Sequence, residues 1–229
     1  MLVNVGKLMS HTSTKGGGGV KHPFNPSLVD AWFMSGLSNA DKPGSITGVM
    51  GNEMILKNFA FTSESGFGEG NYEGALVFDG VDDYGICNNL PILNDYTVIC
   101  RREIINKDYY SIASKSTVFG KGAFIFELIQ GRTNHCYSFA ADNQINLYNS
   151  EISWQTKNSY NGSTILVGNG EDTDTLTLGI IRVGDESRRF LKGAIYYFAL
   201  YNKSLTPEEV EEEKVKLENY WEGGKNELA

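Results

Sequence analysis

The chain has 229 residues and a formal net charge of −8, with 41% hydrophobic and 21% charged residues. That is long enough for one large domain with a sizeable core. The acidic balance argues against nucleic acid or an anionic membrane surface as the main partner, since both are recognised by basic patches.

Residues 1–9 alternate weakly, with Leu2, Val3 and Val5 against Asn4 and Gly6, and form a strand only if something else offers an edge. Residues 10–19 are a linker by composition, ending in four consecutive glycines that have no side chains to pack. An arm over 1–27 therefore precedes a domain over 28–229. The arm is read as a docking segment for another subunit or particle, or as a leader with no role. Residues 28–34, LVDAWFM, are the first strand of the domain, with Trp32 and Phe33 as core or sheet-edge aromatics rather than a ligand platform. Residues 53–61 carry apolar side chains on both faces, as a strand buried in a sandwich would. Residues 62–72 are Gly, Ser and Glu-rich loop. Residues 75–78 and 84–87 are short strands around Asp79-Gly80, a strong signal for a tight hairpin.

A strand follows over 96–105, then a hairpin pair at 109–114 and 122–130. Short strands are expected at 136–140, 144–148, 152–157 and 164–168, with an acidic loop at 169–174. Residues 175–183 (TLTLGIIRV) and 190–201 (FLKGAIYYFALY) are the two best strand patterns. The one clear helix is terminal. Thr206 is its N-cap, Pro207 its first residue and Glu209 closes a capping box. Val210, Leu217, Tyr220 and Trp221 make its apolar stripe, and Gly223-Gly224 should end it. Many short strands separated by turn chemistry give an all-β fold, a two-sheet antiparallel β-sandwich or a jelly roll, with a C-terminal α-helix and an N-terminal arm.

Three cysteines, Cys87, Cys100 and Cys136, are an odd number with no CxxC spacing, so neither a zinc site nor a disulfide framework is implied. No run of about 18 apolar residues exists to span a membrane. The N-terminus lacks a basic region followed by an apolar one, so no secretory signal is expected.

Three stretches in this order, LVDAWFM, FDGVDDYG and GAIYYFALYNKSLTPEEV, carry a resemblance to laminin-G-like, concanavalin-A-like jelly-roll domains. In that family a strand patterned like Gly193, Ile195, Phe198, Tyr201, Leu205, Thr206 and Glu209 leads straight into a short helix. Residues 36–70 depart from the family's loop pattern. The chain is also similar to proteins of gut Bacteroides and their phages in which such a domain ends a longer chain. That resemblance implies a virion component, located in the phage particle or in the host cytoplasm during assembly, with the arm over 1–19 as its attachment or self-association segment.

The family includes glycan binders, adhesion modules, structural caps and a few enzymes. Its glycan hydrolases carry Glu-x-Asp-x-x-Glu on one strand, which converges the carboxylates on a cleft. That spacing is absent here, and the nearest glutamates, Glu127 and Glu151, stand alone. No catalytic residue is assigned. For a glycan, the best cluster of aromatic faces and planar polar groups is Tyr137, Asp142, Asn143, Tyr148, Trp154 and Tyr160, against the plainer view of these rings as core. No cofactor is required. Calcium is the candidate ion, since it collects hard oxygens and laminin-G-like domains often hold one at a sandwich rim. Asn169, Glu171, Asp172 and Asp174 offer such oxygens, against the plainer view of solvated loop acids. The expectation is a non-catalytic module that binds a surface glycan or protein. A structural decoration module with no ligand and a glycan hydrolase are the alternatives.

Overall fold

The computed structural model describes residues 22–93, 96–104, 110–115, 124–129, 132–138, 144–146, 152–157, 174–183 and 186–225. Its strands are β1 (Leu28–Phe33), β2 (Ser45–Thr47), β3 (Glu53–Lys57), β4 (Gly66–Phe67), β5 (Leu76–Asp79), β6 (Tyr84–Cys87), β7 (Tyr96–Ile104) and β8 (Tyr110–Ser114). They continue as β9 (Phe124–Ile129), β10 (Arg132–Ser138), β11 (Gln144–Asn146), β12 (Ile152–Lys157), β13 (Leu176–Leu178), β14 (Ile181–Val183), β15 (Glu186–Arg188) and β16 (Lys192–Tyr201). Helix α1 (Pro207–Lys225) follows.

Two antiparallel sheets form a sandwich. One runs β12-β7-β16-β5-β4, with β1 also on β16, and the other runs β11-β10-β9-β8-β13-β6-β3-β2; β14 and β15 pair separately. The long strand β16 is the spine of the first sheet. It pairs with β7 along one side and with β5 then β1 along the other. A register shift between Ile195 and Tyr197 inserts one extra residue, so Tyr196 and Tyr197 both join the outer cluster while Ile195 and Phe198 join the inner one. Between the sheets lie Trp32, Met54, Phe78, Leu178, Ile195 and Phe198, among others.

The outer face of the first sheet is covered by α1, which buries Val210, Leu217 and Trp221 against Leu28, Ile99, Ala199 and Tyr201. This accounts for β16, buried at every position but Lys192: its apolar run is sandwiched between a second sheet and a helix. The helix begins as its sequence dictates. The Glu209 N–H donates to Thr206 Oγ1 at 3.2 Å, and the Thr206 N–H donates to Glu209 Oε2 at 2.9 Å. Arg101 of β7 clamps the far end. Its guanidinium lies 4.3 Å from the Trp221 ring and 5.0 Å from the Tyr196 ring, and Nη1 meets Glu218 Oε2 at 2.5 Å. Residues 22–27 also pack on α1. Phe24 is buried in a stack with Phe33 and Tyr220, and the Asn25 N–H donates to buried Glu213.

Four local expectations change. Residues 79–83 are not a hairpin turn: β5 belongs to one sheet and β6 to the other, so the segment is a corner between sheets. Gly80 does take the positive φ expected of it, +82°, but β5 finds its partners in β16 and β4. Residues 175–183 are two strands, because Gly179 breaks the run at φ +77°, where an added Cβ would meet the Phe78 ring at 2.5 Å. The helix does not end at Gly223-Gly224 but runs to Lys225. Gly224 is there for close approach, since a Cβ on it would sit 2.5 Å from Ser35 Oγ. The strand expected over 53–61 stops at Lys57, where Asn58 turns to φ +67°. The hairpin pair around 109–130 forms as expected, as β8 with β9. The strand expected at 164–168 and the arm over 1–19 lie outside the described residues.

Candidate functional site

At one rim of the sandwich, the loop over 35–39 separates two grooves. The first, about 430 Å³, lies between residues 36–39 and 67–74. Leu37 and core-buried Phe67 are among its lining residues, and its ionisable lining is Glu69 and Glu73. The second, about 290 Å³, runs past Phe33, Val49, Tyr220 and Gly224. Gly36 and Leu37 line both. Volumes of this order suit a small-molecule or sugar-sized ligand.

What distinguishes this rim is how its walls are held. Asp30, in the middle of β1, is fully buried. Its Oδ1 accepts the N–H groups of Ala31 and Met50 at 2.7 and 2.8 Å. Its Oδ2 accepts the backbone and side-chain N–H groups of Asn52 at 2.9 and 2.8 Å. The Asn52 carbonyl in turn accepts from Gly48 N–H and from Trp32 Nε1. The loop over 48–52 is thus pinned to the core. Burial pushes the Asp30 carboxyl above its ordinary value, against the pull of those four hydrogen bonds. On the other groove, the Asn39 side chain pairs with one peptide unit of β4. Nδ2 donates to the Phe67 carbonyl at 2.8 Å, and Oδ1 accepts the Phe67 N–H at 2.7 Å. Trp221 Nε1 donates to the Gly74 carbonyl at 2.8 Å, tying the groove's far wall to α1.

A second polar constellation sits at the corner over 79–83, where carboxylate oxygens of Asp79, Asp82 and Asp83 lie within 4.8 Å of one another. Asp79 and Asp83 use their oxygens in the fold. Asp79 Oδ1 accepts the N–H groups of Val81 and Asp82 at 2.7 and 3.4 Å. Buried Asp83 accepts the Asp79 N–H and the Ser65 hydroxyl, each at 3.0 Å. Desolvation, with added repulsion from Asp79 and Asp82, pushes Asp83 up to about 6. The corner therefore serves to join the two sheets.

Of the glycan-binding residues expected from sequence, Tyr137 and Trp154 fall on described strands. Tyr137 is in β10, paired with Ile125 and Gln144; Trp154 is in β12, paired with Ile99. These strands belong to different sheets. Asp142, Asn143, Tyr148 and Tyr160 lie outside the described residues, as do Asn169, Glu171 and Asp172 of the expected calcium loop. Asp174 is described: its carbonyl accepts the Leu90 N–H and its Oδ1 accepts the Thr175 hydroxyl. Glu127 stands on β9 opposite Ser111 and His135, and Glu151 is outside the described residues. Cys87 and Cys100 are buried free thiols, both raised to about 12 by burial. Asp30 was the signal to follow: a carboxylate in the middle of an apolar strand must be fed hydrogen bonds by something. The Asn39–Phe67 clamp has no counterpart in local sequence pattern. The chain matches no protein-family model and no curated protein sequence.

Proposed function

We propose that this chain is a non-catalytic binding module that recognises a surface glycan in the paired rim grooves, carried on a phage-type virion through residues 1–19. The observation that supports the reading is preorganisation. Asp30 and Asn39 spend their hydrogen bonds on fixing the loops that wall the grooves. Walls already fixed before contact lower the ordering cost of binding. Loops on a rigid β-scaffold are also where recognition residues concentrate. No helix among the described residues is long and apolar enough to cross a membrane.

A glycan array probed with the full chain and with Gly70→Asn tests this. Gly70 lines the larger groove at φ +60° with nothing within 4 Å of an added Cβ. Asn tolerates that backbone region, so the variant obstructs the groove without disturbing the fold. At least one glycan class should bind the parent and lose roughly tenfold in affinity in the variant. An array with no signal would favour a decoration module or a protein ligand. Binding that ignores the substitution would place the site elsewhere.

A further inference from the structure

We infer that the smaller groove is an open β-edge slot, which residues 2–5 of this chain's own N-terminal arm fill in the free protein as a short added strand. Two sheet edges face each other there. β2 ends the eight-stranded sheet, and β1 has β16 as its one strand partner among the described residues. The edges meet where the Val49 N–H donates to the Ala31 carbonyl at 3.0 Å. Beyond that bond they part, and the space between them is lined by Phe33, Ser45, Thr47, Val49 and Tyr220. In an antiparallel ladder every second residue bonds its partner and the others point the opposite way. The Leu56 N–H donates to the Gly44 carbonyl and the Gly48 N–H to the Asn52 carbonyl. Ile46 therefore bonds Met54, and the N–H and C=O groups of Ser45 and Thr47 point away from β3. On β1, the Ala31 N–H and carbonyl turn away from β16, to Asp30 Oδ1 and to Val49; Phe33, two residues on, turns the same way. Among the described residues nothing is bonded to these outward groups of Phe33, Ser45 and Thr47. A row of unpaired backbone groups is a template for another strand.

The occupant follows from where the described chain begins. His22 stacks on Phe24 at 5.9 Å, and Phe24 on Phe33 at 6.2 Å, so the arm leaves the domain beside the slot. Residues 6–21, with four consecutive glycines, join His22 to residues 2–5. A Gly-rich chain of that length spans about 20–25 Å on average, which holds the segment near its own slot at an effective concentration on the order of millimolar. Val3 and Val5 are β-branched and share one side of an extended strand, to meet Phe33, Val49 and Tyr220, while Asn4 takes the other side. The seated strand leaves the larger groove open, and attachment of residues 1–19 to a particle withdraws it from the smaller one. The inference concerns the free chain and does not rest on the glycan reading.

Amide hydrogen exchange on the full chain tests this, against a variant with Val3→Asp and Val5→Asp, two positions that precede the domain. The Ser45 and Thr47 amides should exchange about tenfold slower in the parent, as a segment docked about nine-tenths of the time makes them. The Ile46 amide, bonded to Met54 in both, should not change. Thr47→Pro blocks the slot from the other side. It removes an outward N–H and no ladder bond, which an edge strand tolerates, and should bring the Ser45 amide to its rate in the arm variant. If Thr47→Pro does not fold, the arm variant alone decides. Equal Ser45 and Thr47 exchange in the parent and the arm variant overturns the inference. The slowing should also survive about hundredfold dilution, because the segment is tethered. Slowing that fades on dilution, with a dimer by light scattering, gives the slot to the arm of a second copy and overturns the assignment to the chain's own.

Discussion

Asp30 and Asp83 are both fully buried, and each ties a loop to the sandwich, yet their surroundings are opposite. Asp30 receives four N–H donors, two per oxygen. Asp83 receives two, one of them a hydroxyl, and shares its corner with Asp79 and Asp82. The first carboxylate is matched donor for donor and holds the rim loop rigid. The second is left with repulsive neighbours and sits at the joint between sheets. A buried acid whose partners are all fixed N–H groups tolerates no change of hydrogen-bonding character. One that faces a rotatable hydroxyl does.

The comparison can be broken at either end. Asp30→Asn keeps the shape but turns one acceptor into a donor, and whichever oxygen is replaced faces two N–H groups. The expected cost is about 2–4 kcal/mol in chemical denaturation, with faster hydrogen exchange at the Met50 and Asn52 amides. A loss under about 1 kcal/mol would mean the loop is held by its backbone alone. Ser65→Ala is milder. It removes the hydroxyl that donates to Asp83 and accepts the Ala60 N–H at 2.9 Å, for about 1–2 kcal/mol. With one fewer stabilising donor, the Asp83 titration followed by carboxyl NMR should move further upward. A downward move would mean that Ser65 does not stabilise the ionised form.

The sandwich and its helix were legible in the sequence because both rest on local periodicity. The Thr206–Glu209 capping box and the β16 run are each decided by residues within a few positions of one another. What misled were segments whose local signal was overruled by distant partners. Asp79-Gly80 has hairpin chemistry, but β5 is claimed by Lys192–Ile195 of β16 and by β4. The apolar run around Gly179 reads as one strand until Phe78 and the neighbouring carbonyl of Ile112 impose a break. The rim site was hidden for the same reason: Asn39 meets Phe67 from 28 positions away, and Asp30 meets Asn52 from 22. Residue types suited to sugars could be picked out, but not which strands would share a sheet.

Asp83→Asn completes the contrast with Asp30→Asn, because the same exchange should cost under about 1 kcal/mol at neutral pH. An amide Nδ2 in place of Oδ1 can donate to Ser65 Oγ while the remaining oxygen keeps the Asp79 N–H, so no hydrogen bond of the corner is lost. The variant should also change how stability depends on pH. The Asp83 carboxyl titrates at about 6 in the folded chain, against an ordinary value of 3.8. Below the ordinary value both folded and unfolded chains hold the proton, and the contribution to stability is complete. As pH rises from there to about 6 the unfolded chain releases the proton first, so stability declines across that window and levels off above it. Asn cannot ionise, so its denaturation midpoint should decline less between about pH 4 and about pH 7 than that of the parent. Asp30 contributes in the same direction in both proteins and cancels in the difference. Parallel pH profiles would show that Asp83 has the same pKa in the folded and unfolded chains, so that the corner leaves its charge as well stabilised as water does.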